Sequence, residues 1–325
     1  MKSVVEDIKK GSFKPVYLFY GEEAYLKQQY KNRLKNAVLP EGDTINLSIY
    51  GGKGIDVKEM IAQADTMPFF AEHRLLLIED SGFFKNANQQ LAEYIPSIPE
   101  ETIMLFVESE VDKRGKLYKA VSKKGSVVEF TAQNEQTLTR WILGILKTEG
   151  KMITSGAMKQ FLEKTGTDME RIRQELEKLI CYCMEKESIT EEDVAVICSE
   201  QTENKIFDMI NAMAEKKQKK AMELYYDLLA LKEPPMRILY LITRQFNLLM
   251  QVKELSEEGY SAKTISERLK MAGFIVRNCL RQAEYFSLKT LKEALQDCVR
   301  MEEAVKTGRM NDVMSVELLL VKYSS

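Results

Sequence analysis

Leu75–Ile78 is an unbroken apolar run, entered through Arg74 and closed by Glu79 and Asp80. A segment that short and that uniformly apolar is a strand buried on both faces, as in a parallel sheet covered by helices. The same kind of segment recurs through the first part of the chain. Pro15–Tyr20 ends at Gly21, Thr44–Tyr50 ends at a pair of glycines, and Thr102–Glu108 and Val127–Thr131 follow. Helical spacing fills the intervals over Glu22–Asn36, Asp56–Thr66, Ala87–Ile95 and Lys116–Val121. Asp56 is the expected N-cap of its helix and Pro96 the expected stop of the third. Strands alternating with helices predict an α/β domain built on a parallel sheet. Ligands in such folds sit at the carboxyl ends of the strands, often on the loop after the first.

That loop reads Tyr20-Gly21-Glu22-Glu23-Ala24-Tyr25-Leu26. A phosphate-binding loop needs G-x-x-x-x-G-K-[ST] there, so that backbone N–H groups and one lysine surround the phosphates. Here one glycine is followed by two carboxylates, which suit a helix N-terminus instead. Glu79 and Asp80 close a strand in the manner of the magnesium-holding acids of nucleotide hydrolases, with no cradle to complete them. The reading assigns no catalytic residue, no cofactor and no metal site.

Beyond the last strand the pattern is helical. Gln136–Glu149 carries the only tryptophan, Trp141, and leads out of the sheet domain. Ala157–Lys164, Met169–Met184 and Glu191–Cys198 form a small helical unit, the last opened by Thr190. From about Gln201 onward only helices are expected. Met236–Glu257 is the longest, Ser261 and Ser287 are N-caps, Val299–Lys306 stops at Gly308, and Val313–Tyr323 comes last.

Composition narrows the function. The 325 residues suit two or three domains. With 47 basic and 49 acidic residues the net charge is −2, which does not fit a chain that holds DNA alone by neutralising phosphates. No apolar run approaches a membrane span, and MKSVVEDIKKG lacks a signal-peptide core, so a cytoplasmic protein without membrane contact is expected. Cys181, Cys183, Cys198, Cys279 and Cys298 have neither disulfide-framework nor zinc spacing and read as small buried hydrophobes. His73 is the only histidine, which excludes a multi-histidine metal site; a surface position is expected for it.

Two stretches remain for binding. In Met67-Pro68-Phe69-Phe70 two phenylalanines adjoin at a helix-to-strand junction. Neighbouring side chains diverge in either geometry, so both cannot easily face one core. They either plug the end of the sheet or project as a wedge into a partner. Farther on, Lys113, Lys116, Lys119 and Lys123 fall near one helical face, with Arg114 and Lys124 beside them. Such a face is either plain solvated surface or a sugar-phosphate contact that matters once neighbouring subunits add theirs.

Taken in order, PVYLFYGEEAYL, MPFFAEHRLLLIED, LFVESEVDKRGKLYKA, RIRQELEKL, SITEEDVA, KIFDMINAMAEKKQKKAMELYYDLL, RILYLITRQFNLLMQVKEL and EEAVKTGRMND resemble the delta subunit of the bacterial DNA polymerase III clamp loader. The resemblance covers almost the whole chain. It implies an AAA+-like sheet domain without a P-loop over residues 1–140, a helical lid over 141–202 and a helical collar over 203–325. It implies a non-catalytic subunit that binds and opens the sliding clamp for loading onto primed DNA. Met67, Phe69 and Phe70 match the family's clamp-binding positions, with Phe where relatives carry Leu. Motor subunits and delta-prime are the implied collar partners, and DNA is met within the assembly. An active AAA+ ATPase such as a helicase loader is the alternative, and a helical adaptor that remodels nothing is a third.

Overall fold

Parallel central strands that are apolar almost throughout dictate the first unit. The computed structural model describes residues 2–86, 88–198 and 202–324. The chain divides into two compact units, Met1–Ala132 and Gln133–Ser325. In the first, α1 (Lys2–Lys10), β1 (Val16–Tyr20), α2 (Ala24–Val38), β2 (Leu47–Gly51), α3 (Val57–Ala64), β3 (Arg74–Glu79), α4 (Gln89–Tyr94), β4 (Thr102–Glu108), α5 (Lys116–Lys124) and β5 (Ser126–Glu129) follow in order. The strands form one parallel sheet in the order β2-β3-β4-β1-β5, the AAA+-like arrangement.

Successive strand residues point to opposite faces, and both faces are covered. Val16, Leu18, Leu76, Ile78, Met104 and Phe106 pack with Met60 and Ala64 of α3, Leu91 of α4, and Leu117 and Val121 of α5. Tyr17, Phe19, Leu75, Leu77, Ile103 and Leu105 pack with Val4 of α1 and Leu34 and Val38 of α2. The unbroken apolar runs are thus two alternating faces superimposed on one strand.

Several boundaries differ from the sequence expectation for local reasons. No element was expected over residues 2–10, where Val4 is the one fully buried hydrophobic anchor among the described side chains. β2 starts at Leu47 rather than Thr44, because Asp43 draws residues 45 and 46 into a turn. Ala87, the expected start of the third helix, lies outside the described residues; α4 starts after Asn88, which caps Leu91 N–H. Pro96 does not stop the chain's helical path but sits in a 3-10 turn, Ile95–Ser97, where its missing N–H costs nothing.

The second unit begins with α6 (Glu135–Thr148), then β6 (Met152–Ile153), α7 (Ser155–Thr165), α8 (Met169–Tyr182), β7 (Ser188–Ile189) and α9 (Glu191–Ile197). The two-residue parallel pair β6–β7 was too short to show a period in the sequence. Gln201, the expected start of the last region, also lies outside the described residues. There follow α10 (Thr202–Ala214), α11 (Gln218–Ala230), α12 (Pro235–Glu257), α13 (Ala262–Leu269), α14 (Gly273–Ala283), α15 (Leu288–Lys306) and α16 (Asp312–Ser324). Ile238, Leu239, Ile242, Phe246, Leu249 and Val252 of α12 are all buried in one cluster with residues of α10, α11 and α14 to α16.

The cysteine expectation needs one correction. Four of the five are buried, but Cys181 is exposed, since α8 turns its Ile172, Leu176, Leu179 and Cys183 stripe inward and position 181 away from it. Burial pushes the Cys198 thiol up to about 12 and those of Cys279 and Cys298 up to about 11, which leaves these three inert. Among the described residues there is no cluster of potential metal ligands, and no helix is long and apolar enough to cross a membrane.

The start of α9 is held by one buried carboxylate. Asp193 accepts from Lys186 Nζ at 2.5 Å and from the N–H and hydroxyl of Thr190, each at 2.9 Å. Lys186 first, then Thr190, hold its pKa down from 3.8 to about 2. A depressed folded-state pKa gives stability that is present above the ordinary value and lost as pH falls through the depressed one. Resistance to urea should therefore fall as pH drops from 3.8 to about 2, and Asp193→Asn should lower stability at neutral pH while flattening that acid limb. An unaltered acid limb in the variant would remove Asp193 from this role.

Candidate functional site

The junction between α3 and β3 is built from anchored ends and an exposed middle. Asp56 caps α3 by accepting from Lys58 and Glu59 N–H. At its other end Ala64 C=O accepts from Thr102 Oγ1 at 2.7 Å, and Asp65 accepts from Tyr94 OH at 2.6 Å. Beyond these anchors Met67, Phe69 and Phe70 are 73, 57 and 95% exposed. The two rings meet edge to face, with centroids 4.6 Å apart. Of the two readings open at this pair, plugging the sheet end does not hold: the sheet core is complete without either ring.

The backbone here is constrained. Phe70 has φ +51°, a left-handed conformation that costs a bulky residue about 1–2 kcal/mol. One residue earlier, Asn46 grips both polar groups of Phe69: Oδ1 accepts from Phe69 N–H at 2.7 Å, and Nδ2 donates to Phe69 C=O at 2.9 Å. Asn46 Nδ2 also donates to Asp43 Oδ2 at 2.7 Å, and Asp43 Oδ1 accepts from the N–H groups of Ile45 and Asn46, both at 3.0 Å. The hydrogen bonds from Asn46 lead the causes that hold the Asp43 carboxyl below its ordinary value. Neither residue was found from sequence. Asp43 carries ordinary turn chemistry, and nothing local shows that Asn46 reaches a residue 23 positions away.

His73, expected at the surface, is half-buried. Its ring packs edge-on against Phe13 at 5.7 Å, and its Nδ1 is buried without a hydrogen-bond partner. The cause is its place at the entry to β3, where the chain turns into the sheet.

The carboxyl ends of the strands, where a nucleotide would sit, are occupied by the chain itself. A Cβ at Gly21, φ +121°, would lie 2.3 Å from Phe130 O. Glu23 N–H donates to that same oxygen at 3.1 Å, and Phe130 N–H donates to Tyr20 O at 2.7 Å. The loop after β1 is thus closed against the residue after β5. Lys31 pairs with Glu79 at 2.7 Å, and Lys27 Nζ donates to Glu108 C=O at 3.1 Å. The Glu108 side chain accepts from Ser81 Oγ and from the N–H groups of Ser81 and Gly82. Burial raises the Glu108 pKa and lowers that of Lys27. The acids and lysines of this region serve each other.

The basic stretch divides. Lys113 pairs with Glu129 at 2.9 Å and lies 5.5 Å from the centroid of the Tyr20 ring, so its charge is locally spent. Arg114 pairs with Asp112 at 3.0 Å. Lys116, Lys119 and Lys123 lie exposed on α5, whose Leu117 and Val121 face the core, and no described salt bridge includes them.

Comparison with known proteins fits this construction. Residues 17–131 match the family model for the DNA polymerase III delta subunit, and residues 203–323 match the model for its C-terminal domain. DNA polymerase III subunit delta of Bacillus subtilis is 30% identical over 331 residues, spanning 98% of this chain and 95% of that one. A probable DNA polymerase III subunit delta of Aquifex aeolicus is 21% identical over 75% of this chain and 72% of its own length. The solved structure of the Bacillus subtilis DNA clamp loader delta protein superposes with a TM-score of 0.69 over 99% of both chains. With the sheet, the helical C-terminal region and full-length relatedness in agreement, this chain belongs to the family of DNA polymerase III delta subunits, a clamp-loader component of the replication machinery.

Proposed function

We propose that this subunit binds the sliding clamp through Met67, Phe69 and Phe70 and opens its ring for loading onto primed DNA. The observation that carries the reading is the aromatic pair held outward at the end of α3 while the core behind it is closed. Burying one such side chain contributes about 1.5–3 kcal/mol, so the three together offer roughly 4.5–9 kcal/mol gross. Shifting a ring from almost always closed to almost always open takes about 5.5 kcal/mol of differential binding. Docking also loses translational and rotational freedom, so the triad captures the clamp, and strain in the closed ring or further contacts complete the opening.

The chain does this without an active site of its own. The closed Gly21 loop and the Lys31–Glu79 pair leave no phosphate cradle, which argues against an active ATPase of the same fold. Motor subunits then supply the ATP chemistry, joined with delta-prime through a collar formed by residues 203–325; residues 141–202 act as the lid, and the assembly works in the cytoplasm. Lys116, Lys119 and Lys123 meet DNA phosphates within that assembly, with Lys113 at the margin because Glu129 already neutralises it.

Phe69→Ala combined with Phe70→Ala should abolish clamp binding by the isolated chain and leave collar assembly intact. Calorimetry or a pull-down showing undiminished clamp affinity refutes the docking triad. The unaltered chain should show no saturable ATP binding; micromolar affinity by calorimetry would restore the ATPase reading. Charge reversal at Lys116 and Lys119 should weaken DNA-dependent loading by the full assembly and leave DNA-free clamp binding unchanged. An equal loss in both assays would mean that these lysines do not act through DNA.

A further inference from the structure

Asn46 is 1% exposed, and its carboxamide is spent on the docking loop rather than on its own strand. Its main chain belongs to the rigid part of the unit: Asn46 C=O accepts from Leu75 N–H of β3 at 2.8 Å. Its side chain then bonds both polar groups of Phe69, at 2.7 and 2.9 Å, as a paired strand would. The second hydrogen of the amide goes to Asp43, which is itself fixed by two backbone N–H groups. The chemistry specifies the residue type. A carboxylate could accept from Phe69 N–H but not donate to its carbonyl, and an apolar side chain of equal size could do neither. Between the end of α3 and the start of β3 this is the described side-chain contact that grips the backbone of the exposed aromatics, and the residue after it holds φ +51°.

We propose that Asn46, oriented by Asp43, is the positioning residue of the docking triad: it presets the backbone at Phe69 so that both rings stand outward before a partner arrives. This rests on the clamp-docking reading above. Without the double bond, the loop samples several poses, and the ordering cost falls on the binding step. Hydrogen bonds of this kind translate into a loss of about 10- to 100-fold in affinity.

The test is Asn46→Ala in the full chain, with the Phe69→Ala/Phe70→Ala double variant alongside and sliding clamp as the probe. A Kd about 10- to 100-fold weaker for Asn46→Ala, with a cooperative melt retained, supports the proposal. An unchanged Kd while the double variant loses binding overturns it and leaves the docking reading standing. Full binding by the double variant overturns both. If Asn46→Ala does not melt cooperatively, Asn46→Asp decides. When ionised, the introduced carboxyl is repelled by Asp43 and cannot donate to Phe69 C=O; when protonated, it both accepts and donates. Asp43 on its own segment, whose carboxyl is held below its ordinary value, and Arg74 at the start of β3 are the charged groups beside it. Burial beside Asp43 raises the pKa of the introduced group, so the ratio of variant to wild-type Kd should fall from about pH 8 to about pH 5. A ratio independent of pH overturns the proposal.

Discussion

Burial of the three central strands of the parallel sheet, β1, β3 and β4, on two sides is the constraint from which the rest of this subunit follows. Leu75, Leu77, Leu76 and Ile78 send alternate side chains to the two helical layers, and β1 and β4 do the same. Once both faces are sealed, the sheet can interact only at its two ends and two edges. The carboxyl end is closed by Gly21 against Phe130, by Lys31 on Glu79 and by Glu108 on the Ser81–Gly82 backbone. The amino end carries the loop from α3 to β3, whose apolar residues have no layer left to enter.

This is why the sheet was readable from sequence and its docking loop only partly so. Double burial writes a strong signal: Leu75–Ile78 and Thr102–Glu108 could hardly be anything but interior strands. The phosphate cradle was equally testable, since its absence is a matter of which residues follow Tyr20. At Phe69 and Phe70 the sequence carried a contradiction, two large rings at a place where both could not face the same core. Geometry resolves it, with Phe70 95% exposed in a left-handed conformation. Asn46 was invisible because its role lies in a contact across 23 positions, made by a side chain whose local setting looks like an ordinary turn. His73 and Cys181 went the wrong way for a related reason: exposure at an element's edge depends on how neighbours such as Phe13 pack, not on residue type.

The lysine-rich stretch shows the same limit in charge. Four lysines shared one face on paper, yet Lys113 is spent on Glu129, which ends the edge strand β5. Only tertiary placement separates a neutralised lysine from the ones still open to an incoming phosphate. With a net charge of −2 for the whole chain, any attraction for DNA is local and short-ranged, extending about one Debye length of roughly 8–10 Å. On the proposed reading, such a face contributes when other subunits hold the duplex beside it.

On the clamp-opening reading proposed above, the two ends of the sheet bear on how the wedge is held. β3 joins them directly: Arg74 begins it beside the docking loop, and Glu79 ends it at the pair with Lys31. Six extended residues, five steps of about 3.3 Å, place these ends about 17 Å apart. In a nucleotide-driven relative of this architecture, movement at the carboxyl end would be free to disturb the amino end through that strand. Here the carboxyl end is tied within the unit by the Lys31–Glu79 ion pair and by hydrogen bonds at Glu108, and β3 runs from there to the loop. The cost of exposing two phenylalanines and straining Phe70 is offset by the buried core behind them. On the same clamp-opening reading, a wedge pushed against a closed ring transmits force only if its base does not yield, and the closed Gly21 loop and the Lys31–Glu79 pair supply such a base.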